Sequence, residues 1–233
     1  MSGFTGMSLP YRLNKKAPQS AEFFCYTHCM LKADNRTIQK SYTKAARSFD
    51  WAEGYMLNVF GLQKLRRRMF AGLKGDVLEV GAGTGLGFSA MPAGVNLVGL
   101  DLTASMLDIA RTRASKYGAT LVQGDALRLP FADNSFDGVV DALCLCTYPD
   151  PQQALTEMAR VLKPDGRIVL IEHGLARPDW LQKFQHWRAE SHFKTFCCRW
   201  DMNMDDVVAA SGLKVLKSRR TFLGAIYLYE LTL

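Results

Sequence analysis

No apolar run in this chain approaches the roughly 20 residues that a membrane-crossing helix needs. The longest, near Val77–Val80 and Ile168–Ile171, are strand-sized. A secretory signal peptide is missing as well, which predicts a protein that is not secreted. The six cysteines are Cys25, Cys29, Cys144, Cys146, Cys197 and Cys198. None forms a CxxC pair and no Cys/His spacing is regular, so no metal centre is expected. Near-adjacent cysteines also make a poor disulfide framework, which points to a reducing compartment. The Asn35-Arg36-Thr37 sequon then has no glycosylation route. Acidic residues are absent from residues 1–20, which carry Arg12, Lys15 and Lys16. That stretch is either an organelle-targeting segment or a flexible start. The compartments expected are the cytoplasm or the mitochondrion.

What is present suits one α/β domain with an extension better than two full domains: 233 residues, of which 48% are hydrophobic. The net charge of +7 gathers at Arg12–Lys16, Lys64–Arg68 and Lys214–Arg220. These clusters form a solvated face, or they attract RNA, anionic lipid at a membrane surface, or an acidic partner. Nothing in the pattern sets an oligomeric state.

Residues 1–40 read as a flexible or partly helical segment, with one helix over Ala21–Lys32. A domain follows over residues 41–233. Within Ile38–Phe70 the residues Ala45, Phe49, Tyr55, Phe60, Leu62, Leu65 and Met69 recur at helical spacing, predicting two helices broken near Gly54 or Gly61. From residue 75 short apolar runs alternate with helical stretches. Strands are predicted at Asp76–Val80, Asn96–Asp101, Thr120–Gln123, Phe136–Leu143 and Arg167–Glu172. Helices are predicted from Thr103 to Tyr117 and over Gln153–Leu162, with a turn at Pro164-Asp165-Gly166. This β-α-β-α order implies a doubly wound, mostly parallel sheet with ligands at the carboxyl ends of its strands. The tail breaks the rhythm. Asn203 caps a helix over Met204–Ala210 that Gly212 stops. Strands Lys214–Ser218 and Phe222–Leu231 then form an antiparallel hairpin through Arg219–Thr221.

Three motifs carry chemistry, each at a strand end. Val77-Leu78-Glu79-Val80-Gly81-Ala82-Gly83-Thr84-Gly85 runs a strand into a turn with alternate glycines, which lets a ligand approach bare backbone. Position 86 is Leu86, so the dinucleotide pattern GxGxxG fails, and the Gly-Lys-Ser/Thr ending of a phosphate loop is absent. A ligand without a pyrophosphate fits better. Asp101 ends the second strand about 20 residues after the first glycine, where a carboxylate accepts from both ribose hydroxyls of an adenosine. Asp125, in Gln123-Gly124-Asp125-Ala126, either accepts from the adenine amino group beside the Ala126 amide or caps a turn.

These motifs, with Leu129-Pro130-Phe131, Ser135-Phe136-Asp137 and Arg160-Val161-Leu162-Lys163-Pro164-Asp165-Gly166, give the chain a resemblance to the class I S-adenosylmethionine (SAM)-dependent methyltransferases of the type 11 group over about Phe49 to Leu233. The resemblance implies a Rossmann-like sheet of seven strands in order 3-2-1-4-5-7-6, the last antiparallel, with an N-terminal helical extension. It also implies a SAM site, with S-adenosylhomocysteine as product, formed by Glu79, Gly81, Ala82, Gly83, Gly85, Asp101, Leu102, Met106, Asp125, Ala126 and Leu143. Leu143-Cys144-Leu145-Cys146, Glu172-His173 and Cys197-Cys198 resemble methyltransferase-like small-thiol methyltransferases and a related mitochondrial group. Ser41-Tyr42-x-x-Ala45-x-x-x-Phe49-Asp50 is similar to the cofactor-covering helix of phosphatidylethanolamine and quinone-precursor enzymes. The Asn-Pro-Pro-Tyr signature of aminomethylases is missing after strand four.

Methyl transfer from a sulfonium is an in-line displacement that asks the protein for alignment and desolvation. A thiol acceptor needs little base help, whereas a hydroxyl or carbon acid needs a base. His173 is the candidate base, or else a hydrogen-bonded structural residue. Tyr42, Cys144, His173 and Trp187 are the candidate acceptor-site residues. The expected activity is methyl transfer to a small, apolar acceptor: a thiol, a lipid or a quinone-like molecule. The alternatives are an RNA or protein methyltransferase and a catalytically silent SAM-binding assembly factor.

Overall fold

Short apolar runs alternating with amphipathic stretches become, in the computed structural model, one seven-stranded sheet with helices on both faces. The structure describes residues 33–59 and 61–233, with the backbone alone for residues 52–59. The helix expected over Ala21–Lys32 lies outside the described residues. The elements are α1 (Asn35–Val59), α2 (Leu62–Phe70), β1 (Asp76–Val80), β2 (Asn96–Asp101), α3 (Ala104–Tyr117), β3 (Thr120–Gln123) and β4 (Phe136–Ala142), continuing with α4 (Pro151–Val161), β5 (Leu162–His173), α5 (Asp179–Phe196), α6 (Met204–Ala210), β6 (Lys214–Thr221) and β7 (Ile226–Thr232). Among the described residues no helix is long and apolar enough to cross a membrane.

The strand order is 3-2-1-4-5-7-6. β1 to β5 pair in parallel, and β7 runs antiparallel between β5 and β6. The central strands are buried on both faces, as a parallel sheet under two helix layers requires. Alternation along each strand splits the core in two. Leu78, Val139, Ile168 and Leu170 face Leu155 and Met158 of α4 and Val208 of α6. Val77, Val140, Val169 and Ile171 face Phe70 of α2 and Ala110 and Ala114 of α3. Burial of each large apolar side chain contributes about 1.5–3 kcal/mol. The outer strand β6 is mostly exposed and carries Lys214, Lys217, Arg219 and Arg220, charges that discourage pairing with another sheet.

One open local expectation is resolved and two shift. The break between the first two helices falls at Gly61, whose φ of +62° suits glycine, while Gly54 stays inside α1. Pro164-Asp165-Gly166 does not precede a strand. It is a bulge inside β5, between the pairs Phe136 with Leu162 and Gly138 with Arg167. The hairpin does not turn at Arg219–Thr221, because those residues continue the ladder opposite Leu228, Tyr227 and Ile226. Arg220 is held there by Gly224 O at 2.8 Å and by the Tyr227 ring, 4.0 Å from its guanidinium carbon. The chain reverses instead through Phe222, Leu223 and Gly224, all at positive φ.

Candidate active site

The turn after β1 is shaped by its glycines. Gly81 sits at φ +68°, and a Cβ there would lie 2.5 Å from Cys144 Sγ and 3.0 Å from Tyr148 Oη. Ala82 N donates to Leu100 O at 2.9 Å, which ties the turn to β2. Asp101, at the end of β2, locks the next residue. Its Oδ2 accepts from Gly83 N at 2.9 Å and its Oδ1 from Thr103 N at 2.8 Å. Each oxygen keeps further accepting capacity, since an ionised carboxylate has about four lone-pair sites. Burial pushes the Asp101 carboxyl above its usual value, against the pull of those two amides.

A lid comes from α1. Thr84 Oγ1 donates to Asp50 Oδ1 at 2.5 Å, and Arg113 Nη2 donates to Asp50 Oδ2 at 2.8 Å. Arg113 Nη1 also reaches Thr84 O at 2.8 Å. These bonds join α1, the glycine turn and α3. At the other end of α1, Asn35 Nδ2 donates to Asp125 Oδ2 at 2.6 Å, and Gln39 Nε2 donates to Leu102 O at 3.1 Å. The second oxygen of Asp125 takes Leu127 N at 2.9 Å.

Under the glycine turn lies a buried polar floor. β4 ends at Ala142, and Leu143 at φ +69° turns the chain back. Tyr148 Oη then donates to Asp141 Oδ2 at 2.8 Å, and Cys144 N reaches Asp141 Oδ1 at 3.2 Å and Glu172 Oε1 at 3.4 Å. Asp141 and Glu172 are both fully buried, and both accept from Cys144 N. Burial first, then the neighbouring Asp141, holds Glu172 well above the usual carboxylate range. Burial likewise raises Tyr148 and Cys144, so both are protonated at neutral pH.

These parts enclose a cleft of about 880 Å³ including its mouth. Of the residues expected to bind the cofactor, Glu79, Gly81, Ala82, Gly83, Asp101, Leu102, Met106, Asp125, Ala126 and Leu143 all line it. Gly85 does not. Its place is behind the turn, where a Cβ would meet the Phe88 ring at 2.7 Å. Tyr42 and Cys144, expected at the acceptor, line the cleft too. The other two acceptor candidates do not. Trp187 is 74% exposed on α5, beside Phe184 and Arg188 of the same helix. His173 Nε2 faces Cys146 Sγ at 3.2 Å and Cys198 Sγ at 3.3 Å, outside the lining. The lining residues that sequence reasoning missed include Asn35, Arg66, Thr147 and Tyr148. Asn35 carried a signal read only as a sequon.

The chain matches the model of a methyltransferase domain over residues 78–170. It is 32% identical over 213 residues to the mitochondrial methyltransferase OMS1 of Saccharomyces cerevisiae, an alignment covering 82% of this chain and 45% of the yeast protein. It is 33% identical over 168 residues to a demethylmenaquinone methyltransferase of Listeria monocytogenes, covering 66% of this chain and 70% of that protein. The chain therefore spans less than half the length of the yeast relative and about two thirds of the bacterial one. Among solved structures, a chain of the complex between the Haloferax volcanii Trm112 methyltransferase activator and its methyltransferase superposes with a TM-score of 0.66 at 19% identity, covering 82% of this chain and 96% of that one.

Proposed function

We propose, from the premise that this chain belongs to the class I SAM-dependent methyltransferases, that it binds SAM in the cleft at the carboxyl edge of the sheet and moves the methyl group to a small, apolar acceptor. The observation that carries this reading is the setting of Asp101: two backbone amides aim its carboxylate, and accepting capacity faces the cleft. Two ribose hydroxyls match that capacity. The adenine falls to Asp125 and Ala126, and the amino-acid end to Glu79, Gly81 and Gly83. The bare backbone of the glycine turn suits that close approach, since Gly81 has no room even for a Cβ.

SAM, when bound, supplies a methyl group on a sulfonium leaving group. The chain's own part is alignment, exclusion of water and management of one proton. Tyr42, Phe49, Leu143, Tyr148 and Pro149 give the acceptor end an apolar wall with few polar groups, the usual make-up of a small-molecule site. For an acceptor that must lose a proton, Tyr148 is the group we favour over His173. Its oxygen takes the acceptor's proton while its own passes to Asp141 along the 2.8 Å bond. The bacterial relative, named for a quinone precursor, supports an apolar acceptor. The yeast relative, named as mitochondrial, supports that compartment.

The test is calorimetry with SAM and S-adenosylhomocysteine, followed by transfer of labelled methyl across thiols, lipids, quinone precursors and RNA. Micromolar SAM binding with transfer to an apolar small molecule is the expected result. Absence of SAM binding would make the chain a silent family member. Transfer to RNA with a steep salt dependence would replace the small-molecule reading.

A further inference from the structure

Three side chains that the methyl-transfer site does not use meet beside it. Cys146 Sγ, Cys198 Sγ and His173 Nε2 form a triangle with edges of 3.2, 3.3 and 3.4 Å. Both cysteines are buried, at 0% and 5% exposure. The three come from separate parts of the fold: the loop after β4, the last residue of β5 and the turn that ends α5. Each is held in place by backbone. Cys197 takes φ +53°, closes α5 with its amide on Phe193 O at 2.7 Å, and so directs Cys198 inward. Arg199 N and Arg199 Nε both donate to Cys146 O, at 3.1 and 3.3 Å. His173 is fixed by its pairing with Ile226.

Hydrogen bonding alone accounts poorly for this arrangement. One imidazole nitrogen cannot serve two thiols well, and sulfur is a weak donor and acceptor. A disulfide accounts for it no better, since its bond of about 2.05 Å would leave the imidazole without a role. A metal ion answers all three atoms at once. Metal–sulfur distances of about 2.3 Å and a metal–nitrogen distance of about 2.0–2.1 Å put tetrahedral ligand atoms roughly 3.5–3.8 Å apart. The observed edges fall short of that by a few tenths of an ångström, which small side-chain rotations supply. Two thiolates and a neutral imidazole around a dication carry no net charge, the cheapest state for a buried site. Sulfur and imidazole donors select zinc over magnesium or calcium.

We propose that Cys146, His173 and Cys198 bind one zinc(II) ion. Binding releases the two thiol protons to solvent and forms two Zn–S bonds and one Zn–N bond. Among the described residues the group holds these three ligands, which leaves the fourth tetrahedral position for an exchangeable ligand such as water. Regular spacing along the chain would never report this site. Its ligands stand 27 and 25 residues apart and are assembled by the sheet.

The test is metal analysis of the full chain, purified without chelator from zinc-supplemented cells. The expected content is about one zinc per chain, lost in Cys146→Ser and Cys198→Ser and kept in Cys197→Ser. The metal-free wild-type chain, titrated with cobalt(II), is expected to show tetrahedral d–d bands and thiolate-to-cobalt charge transfer, a measurement that needs no variant to fold. A folded wild-type chain that takes up neither zinc nor cobalt would overturn the proposal. So would a Cys146–Cys198 disulfide in freshly isolated protein, or copper(I) in place of zinc. None of these readouts depends on SAM binding or methyl transfer, so the two proposals fail separately.

Discussion

Asp50 and Thr84, 34 positions apart in the chain, share a 2.5 Å hydrogen bond that fastens the N-terminal helix to the glycine turn. Arg113 completes the clasp from α3. The pair with Arg113 is about one third exposed on both sides, so its charge attraction counts for little. The hydrogen bond from Thr84 matters more, because it sets where the lid meets the cleft. Asp50→Ala is expected to weaken SAM binding about 5- to 30-fold, the equivalent of about 1–2 kcal/mol. Calorimetry checks it. An unchanged dissociation constant would mean that α1 does not close on the cofactor.

Gly81→Ala tests the close approach in the turn. An alanine at φ +68° costs about 1–2 kcal/mol in backbone strain. Its Cβ would also press on Cys144 Sγ at 2.5 Å. Loss of thermal stability and loss of SAM binding are both expected. The double variant Gly81→Ala with Cys144→Ala removes the sulfur and leaves the strain, together with the contacts to the Cβ of residue 144 at 2.8 Å and to Tyr148 Oη at 3.0 Å. It should recover part of the stability but not all of it. Full recovery would show that neither the strain nor the remaining contacts contribute.

Much of this was legible in the sequence for one physical reason: parallel strands buried on both faces must read as apolar runs, and their ends must carry the ligand groups. Asp101 ends such a run, and its place on the cleft follows. Tyr148 and Asp141 were not legible as a pair. Leu143 adopts a left-handed conformation that folds the loop back onto β4, and no residue type signals this at a leucine. Trp187 misled because its aromatic character suggests a lining, yet α5 leaves that face in solvent. His173 was rightly placed at a strand end. Its partners Cys146 and Cys198 arrive through the tertiary fold, which spacing does not reveal.

SAM binding should weaken on acidification. Asp101 has its full accepting capacity only when ionised, and burial raises its pKa above the usual value of about 3.9. Falling pH therefore protonates it, and cuts its accepting capacity, sooner than it would an exposed aspartate. The wild-type dissociation constant is expected to climb as pH falls through that raised value. Asp101→Asn should bind more than about tenfold more weakly and show a flatter pH profile. A wild-type profile as flat as that of the variant would remove Asp101 from the ribose.

Glu172→Gln tests the buried floor through stability. Burial and the adjoining Asp141 hold the Glu172 pKa well above its unfolded value. The folded chain therefore keeps a proton that the unfolded chain releases. That contribution is complete below the unfolded value of about 4.3 and is lost as pH rises toward the folded one. A glutamine carries no proton to lose and stays neutral beside Asp141. The melting temperature of the wild type should thus drop, relative to Glu172→Gln, as pH rises above the unfolded value toward the raised folded one, by roughly 2–4 °C for each ~1 kcal/mol of the lost contribution. Parallel melting curves for the two proteins would mean that Glu172 is ionised in the folded chain. The proton of the pair would then sit on Asp141, whose carboxyl burial also raises.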